Sequence, residues 1–228
     1  FISYTELYRP THLRRLMLRE KKRFECECRR CMFESSSSTA TTIGAFACAD
    51  KTCQGHATAR SNGQVICVLC DCKRSESATK LQQLIDTCAA TREQAGQQLQ
   101  ELHFEEALKL LNRALKETQG KLHATHFERF ECHVMCTDVL AQMSPLPCEQ
   151  LFSQARLTLH CMELVYHGGV NPRCAKILQA IGDCLASSKG MGGSKGPQRQ
   201  AALSIYQLAH TCLKTAWGQD NVATLAMQ

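Results

Sequence analysis

Residues 24–31 read Phe24-Glu25-Cys26-Glu27-Cys28-Arg29-Arg30-Cys31, and three cysteines in Cys-x-Cys-x-x-Cys spacing make poor core filler. Zinc takes thiolates as tetrahedral sets of four at about 2.3 Å, so three soft donors in one short segment ask for a fourth from elsewhere. Upstream the chain opens Phe1-Ile2-Ser3-Tyr4, turns at Pro10 and enters an Arg-rich run from Thr11 to Arg23. Proline fixes φ and starts a helix more readily than it continues one. Leu13, Leu16 and Met17 fall at i, i+3 and i+4, which predicts one apolar stripe on a short helix leading to the cysteines.

Beyond the low-complexity polar stretch Ser35 to Thr42, which has nothing to bury and predicts a flexible loop, a second cysteine group begins. Phe46-Ala47-Cys48 leads to Cys53, Ser61-Asn62-Gly63 forms a turn, and Val65-Ile66-Cys67-Val68-Leu69-Cys70-Asp71-Cys72 follows. Two cysteine pairs flanking a turn describe a zinc ribbon, in which each pair forms a knuckle, the apolar residues before it form a strand and the metal joins the two. The ligand set is Cys48, Cys53, Cys67 and Cys70, with Cys72 and His56 as substitutes.

From about Glu76 onward the pattern is helical. Leu81, Leu84, Ile85, Cys88, Ala95, Leu99 and Leu102 mark one long stripe; Phe104, Ala107, Leu108, Leu111, Ala114 and Leu115 mark the next; Phe127, Phe130 and Val134 a third. Others run through Leu151, Ala155, Leu159 and Met162, through Cys174, Ile177, Leu178, Ile181 and Leu185, and through Ala202, Ile205, Tyr206, Ala209 and Leu213. Pro145 with Pro147, Gly168-Gly169 with Pro172, and Gly190 to Pro197 separate them. An Ala-x-x-x-apolar-x-x-Ala-or-Met pattern recurs at Ala107/Leu111/Ala114, Ala155/Leu159/Met162 and Ala202/Tyr206/Ala209. Small residues at such positions let paired helices approach closely, as in tetratricopeptide-like (TPR-like) repeats, with a period here longer than the usual about 34 residues. The expected fold is mainly α: a Cys-rich zinc-binding N-terminal module followed by a TPR-like antiparallel helical array. Residues 1–34 hold the first knuckle, 35–75 the loop and ribbon, and 76–228 the array.

The composition is that of an ordinary globular protein, 44% hydrophobic and 21% charged in 228 residues. No apolar run approaches the roughly 18 residues of a membrane span and no signal peptide opens the chain, which predicts a soluble protein with no membrane partner. Eight of the sixteen cysteines crowd between Cys26 and Cys72 in metal-like spacings, and the rest are scattered singly through helical sequence, where cysteine behaves as a small hydrophobe. That distribution points to a reducing compartment, the cytoplasm or nucleus. Residues 1–31 carry nine Arg or Lys against four Glu, much of the net +6. Such a run could meet nucleic acid, but a solvated helix face beside thiolates is favoured. The histidines from His103 to His210 read as surface or capping residues, and Gly190 to Gly196 as a linker, since the Lys-Ser/Thr ending of a phosphate loop is missing.

The strand ending in Ile2-Ser3-Tyr4, the Pro turn, the Arg-rich helix and Phe24-x-Cys26-x-Cys28-x-x-Cys31 resemble the end of a SET domain and its post-SET knuckle, most closely in the SET and MYND (SMYD-type) protein-lysine methyltransferases. The resemblance implies that Tyr4 is the tyrosine of the catalytic pocket, that Tyr4 and Phe24 line the S-adenosylmethionine site, and that Cys26, Cys28 and Cys31 hold a zinc ion. In that family the fourth ligand follows an Asn-His-Ser motif, and this motif, the Gly-x-Gly cofactor loop and the MYND finger lie upstream of the matching segment. The chain is therefore expected to be the C-terminal part of a longer enzyme acting on a lysine-containing protein or peptide, with Zn2+ and S-adenosylmethionine as cofactors. The helical groove would receive a protein partner. The other function class compatible with the residues is a non-catalytic adaptor, a zinc ribbon joined to helical repeats.

Overall fold

The computed structural model describes residues 8–28, 31–32, 42–166, 172–187 and 197–217. Among them are seven helices: α1 (Thr11–Lys22), α2 (Ala78–Gln100), α3 (Phe104–Thr118), α4 (Phe127–Leu140), α5 (Cys148–Tyr166), α6 (Pro172–Ser187) and α7 (Pro197–Trp217). Three short strands, β1 (Phe46–Ala47), β2 (His56–Ala59) and β3 (Val65–Cys67), form an antiparallel sheet in the order β1-β2-β3. The chain is thus mainly helical, as its stripes predict. Of the loop expected from Ser35 to Thr42 only Thr42 is described, where it opens a short 3-10 helix (Thr42–Gly44); Gly168-Gly169 and the linker expected over residues 190–196 lie outside the described residues. Contacts divide the chain into two compact units, Phe1–Glu101 with Lys109–Cys132, and Leu102–Leu108 with His133–Gln228.

In the first unit the sheet sets the arrangement of everything near the cysteines. The register places Ala57 opposite both Phe46 and Cys67, and Ala59 opposite Val65. The Ser61-Asn62-Gly63 turn forms as expected, with Asn62 Oδ1 accepting from the Gln64 N–H at 3.1 Å. A further segment docks on the free edge of β1. The Ala47 N–H donates to Lys121 O at 2.9 Å and the His123 N–H to Ala45 O at 3.1 Å. Side chains on one face of this small sheet, Phe46, Ala57, Val65 and Cys67, bury themselves with Leu122 and with Leu81 of α2. Arg74 fastens the assembly by donating to Ala47 O at 2.8 Å and Gly120 O at 3.0 Å while pairing with Glu76.

Helix α2 begins where Ser77 caps it, its Oγ accepting from the Lys80 N–H. Its buried residues are Leu81, Cys88 and Ala95, and Leu84 and Ile85 also pack on the sheet's core. The helical region expected from residue 76 therefore starts as part of the cysteine-rich unit. Leu102 does not extend the α2 stripe as its spacing predicts: it follows the C-cap residue Glu101, takes a left-handed φ of 62° and stands 67% exposed. Tyr8 is buried with its ring stacked on Phe130 of α4 and its hydroxyl donating to Thr125 O at 2.7 Å. Helix α1 is turned differently from its expected stripe. Arg14 and Leu18 are its buried residues, and Leu16 is exposed. The guanidinium of Arg14 has internal acceptors, which makes an arginine tolerable on a buried face.

Most of helix α4 is buried: Arg129, Glu131 and Met135 are partly covered and Asp138 is its exposed residue. His126 and His133 are buried as well, contrary to the surface placement expected for them. His126 does cap α4, because its Nδ1 accepts from the Glu128 N–H at 3.2 Å. In the second unit Leu140, Leu151, Ala180 and Cys184 form one core and Ala175, Leu178, Ala209, Cys212 and Leu213 another. Here α6 and α7 pack closely because Gly182 has no side chain. A Cβ at that position would lie 2.6 Å from the Tyr206 ring, whose hydroxyl donates to Asp183 Oδ1 at 2.6 Å.

Two measurements check this account. Leu81→Ala should cost about 2–5 kcal/mol, the usual range for a buried leucine, and urea unfolding should show it. A loss under about 1 kcal/mol would mean that α2 stands independently of the sheet. Burial, then Arg129 and His123, lower the His126 pKa to about 4 from the ordinary 6.5. Its contribution to stability is complete above pH 6.5 and disappears as pH falls towards about 4, where even the folded protein binds the proton. His126→Asn keeps a capping oxygen without a titrating group, so its unfolding midpoint should fall less than the wild type's between those pH values. Parallel profiles would show that His126 is not the cause.

Candidate metal centres

The sheet and its turns bring the four predicted ribbon cysteines together. Cys48 leaves β1, Cys53 stands before β2, Cys67 ends β3 and Cys70 lies in the turn beyond it, with all four sulfurs within 4.8 Å of one another. Cys48 and Cys70 Sγ are 3.4 Å apart and Cys53 and Cys67 Sγ 3.8 Å apart. A tetrahedron with metal–sulfur bonds of about 2.3 Å has edges of about 3.8 Å, whereas a disulfide requires about 2.05 Å. All four are free thiols, and the separations match the edges of a coordination shell.

Local backbone geometry aims two of these sulfurs inward. The Gly55 N–H donates to Cys53 Sγ at 3.3 Å and the Leu69 N–H to Cys67 Sγ at 3.4 Å, so each chain segment curls round its own sulfur. Position 55 has no room for a side chain. A Cβ there would lie 2.6 Å from Leu69 Cβ and 2.9 Å from Cys67 Sγ. Burial pushes the Cys48 thiol up to about 12, while the Cys72 backbone N–H and then the Cys48 thiol bring Cys70 down to about 7. Metal binding must expel the remaining protons, which makes affinity pH-dependent. The two substitutes stay outside the set. The Cys72 backbone carbonyl accepts from the Cys67 N–H at 3.0 Å, and His56 turns its ring edge-on to His123 at 6.2 Å.

The N-terminal group is a set of three. Cys26, Cys28 and Cys31 have sulfurs within 4.8 Å of one another, and among the described residues no other cysteine joins the set. Among their neighbours is a cation that the spacing did not point to. Arg14, 2% exposed, donates from Nη2 to Cys31 Sγ at 3.5 Å and to Thr11 Oγ1 at 2.9 Å. The Cys28 backbone N–H pulls the Cys26 thiol down, but desolvation and the Cys28 and Cys31 thiols outweigh it and the net shift is upward. A divalent cation or a guanidinium beside crowded sulfurs offsets the repulsion between thiolates.

Both groups could hold a metal ion, and donors that are all sulfur suit zinc. Phe24, beside the three-thiol group, is 42% exposed, and Tyr4 lies outside the described residues. Arg14, Gly55 and Arg74 carry no motif, so sequence reading passed over them. For Gly55 the one signal was a small residue two places after a cysteine. No protein-family model matches the chain, and no curated protein matches it. No helix among the described residues is long and apolar enough to cross a membrane.

Gly55→Ala should weaken metal retention in the four-thiol group, while Cys72→Ser should leave it unchanged. Metal content after dialysis against a chelator, measured on both variants and the wild type, checks the pair. Equal retention by Gly55→Ala would mean that the site accommodates a Cβ.

Proposed function

We propose that the chain is the C-terminal part of an S-adenosylmethionine-dependent protein-lysine methyltransferase of the SET and MYND type. It would contribute one wall of the active site, a structural zinc ribbon and a TPR-like helical region that receives protein. The observation that carries the reading is the convergence of the Cys26, Cys28 and Cys31 sulfurs as a set of three among the described residues. Such a set is what a post-SET knuckle presents to a ligand supplied by the rest of a catalytic domain. The half-exposed ring of Phe24 next to the knuckle fits an aromatic wall for an adenine-bearing cofactor. When bound, that cofactor supplies the methyl group. The protein's part is to orient the lysine amine in line with it and exclude water. In this role the Tyr4 hydroxyl would orient the substrate amine, and the two cysteine groups would hold zinc that braces the backbone, since a filled thiolate shell leaves no position for substrate.

The adaptor reading keeps a specific observation in its favour. The second unit has a cavity of about 510 Å3 lined in part by Leu102, Phe104, Glu105, Glu106 and Met143, apolar and acidic groups suited to a basic peptide segment. The two readings differ in what the full-length protein does. It should methylate lysine in protein substrates, and this chain alone should not, because a single wall does not exclude water or fix two reactants. Tyr4→Phe should lower turnover far more than cofactor affinity. Phe24→Ala should weaken cofactor binding. A methylation assay with a separate cofactor titration on both variants checks this. Undiminished turnover in Tyr4→Phe would remove that residue from the active site, and no methyl transfer by the full-length protein would leave the adaptor.

A further inference from the structure

The four ribbon sulfurs face solvent unequally. Cys67 is buried and belongs to the core around Phe46 and Val65, and Cys48, Cys53 and Cys72 pack against that core. Cys70 does neither and is exposed. It follows Val68 and Leu69 in the turn beyond β3, and Leu69 is itself 69% exposed. Within the thiol set the Cys70 sulfur lies 3.4 Å from that of Cys48. The opposite edge, Cys53–Cys67, is similar in length but closed over, with Gly55 packed so tightly that a Cβ would collide with Cys67 Sγ. A third pair, Cys88 and Cys132, has sulfurs 3.9 Å apart but is only 3% and 0% exposed. Of these three pairs, Cys48–Cys70 alone presents an exposed sulfur, and it does so inside a set of four thiols, whereas the three-thiol group with its exposed Cys28 has the Arg14 guanidinium against it.

We propose that Cys70 is an oxidation site at which a hydroperoxide is reduced, and that Cys48 then closes a Cys48–Cys70 disulfide that opens the metal centre. The Cys70 sulfur attacks the terminal peroxide oxygen, the O–O bond breaks, and the departing oxygen leaves with a proton as alcohol or water. Cys70 becomes a sulfenic acid. The Cys48 sulfur attacks Cys70 Sγ, the S–O bond breaks, and hydroxide takes a proton and leaves as water. Two thiolates have given up two electrons, and the peroxide has accepted them. Only Cys53 and Cys67 then remain as donors, too few for a closed tetrahedral site, so the metal is released with its charge unchanged. A dithiol reductant and fresh zinc reverse the step.

The inference rests on the four-thiolate zinc centre, and the two fail in different ways. A folded chain that contains no zinc before oxidation defeats the ribbon. A zinc-loaded chain whose Cys70 stays reduced defeats this proposal. The experiment titrates the zinc-loaded full chain with hydrogen peroxide. It follows released zinc with a chromogenic chelator and maps cross-links by mass spectrometry after alkylation of the remaining thiols. Zinc release and the Cys48–Cys70 cross-link should rise together over the same peroxide range, Cys88 and Cys132 should remain alkylatable, and dithiothreitol with zinc should restore the starting state. Cys72→Ala, which removes no ribbon ligand, should behave as the wild type. Loss of zinc release in that variant, a Cys70–Cys72 cross-link in the wild type, or earlier oxidation of the Cys53–Cys67 or Cys88–Cys132 pair would each overturn the assignment.

Discussion

In the first unit four sulfurs meet within 4.8 Å at one end of a sheet whose strands are two, four and three residues long. Strands so short supply few ladder hydrogen bonds, and their shared core holds little more than Phe46, Val65, Leu81 and Leu122 as large side chains. Ordering each backbone residue costs about 1–2 kcal/mol, which a core of that size does not offset. Structural zinc contributes apparent binding energies of about 10–16 kcal/mol in small Cys-rich modules, and a metal ion held by these four sulfurs would add stability on that scale. Because Leu81 belongs to the same core, the constraint reaches into α2 and is not confined to the loops that carry the thiols.

The three-thiol group shows the complementary situation. Its geometry is prepared by a helix, α1, whose inward face carries a guanidinium where a leucine stripe was expected. A buried cation against Cys31 Sγ lowers the cost of concentrating negative charge there, and Cys31 is 1% exposed. Without an acceptor at that position Arg14 would be among the most unfavourable residues to bury. Helix and knuckle therefore rely on each other.

How much could be read in advance follows from which forces leave a periodic or compositional trace. The cysteine sets, the Ser61-Asn62-Gly63 turn and the Ala107, Leu111 and Ala114 face of α3 were legible because ligand spacing, turn chemistry and one-sided burial each impose a pattern. Strand β2 was not, since His56-Ala57-Thr58-Ala59 has small side chains and gains its place from partners on both sides. Helix α4 showed a stripe, but burial extends almost all round it, so its polar members, His133 and Thr137 among them, gave no sign that they are interior. Leu102 matched the α2 spacing, yet the chain had already left the helix at Glu101. Arg14 was unreadable for a simpler reason: its acceptors, Arg9 O, Thr11 Oγ1 and Cys31 Sγ, are assembled only by folding.

The contact between Gly182 and Tyr206 has a consequence for how such a sequence can change over time. The ring occupies the volume that any side chain at 182 would need, and its hydroxyl is anchored to Asp183 one residue along. A methyl group at 182 is admissible only where 206 carries something smaller, and a smaller residue at 206 leaves a gap that 182 can then fill. The two positions form a single inherited character divided between α6 and α7. Among diverged copies of this chain they would substitute in concert, whereas the exposed residues around them drift independently.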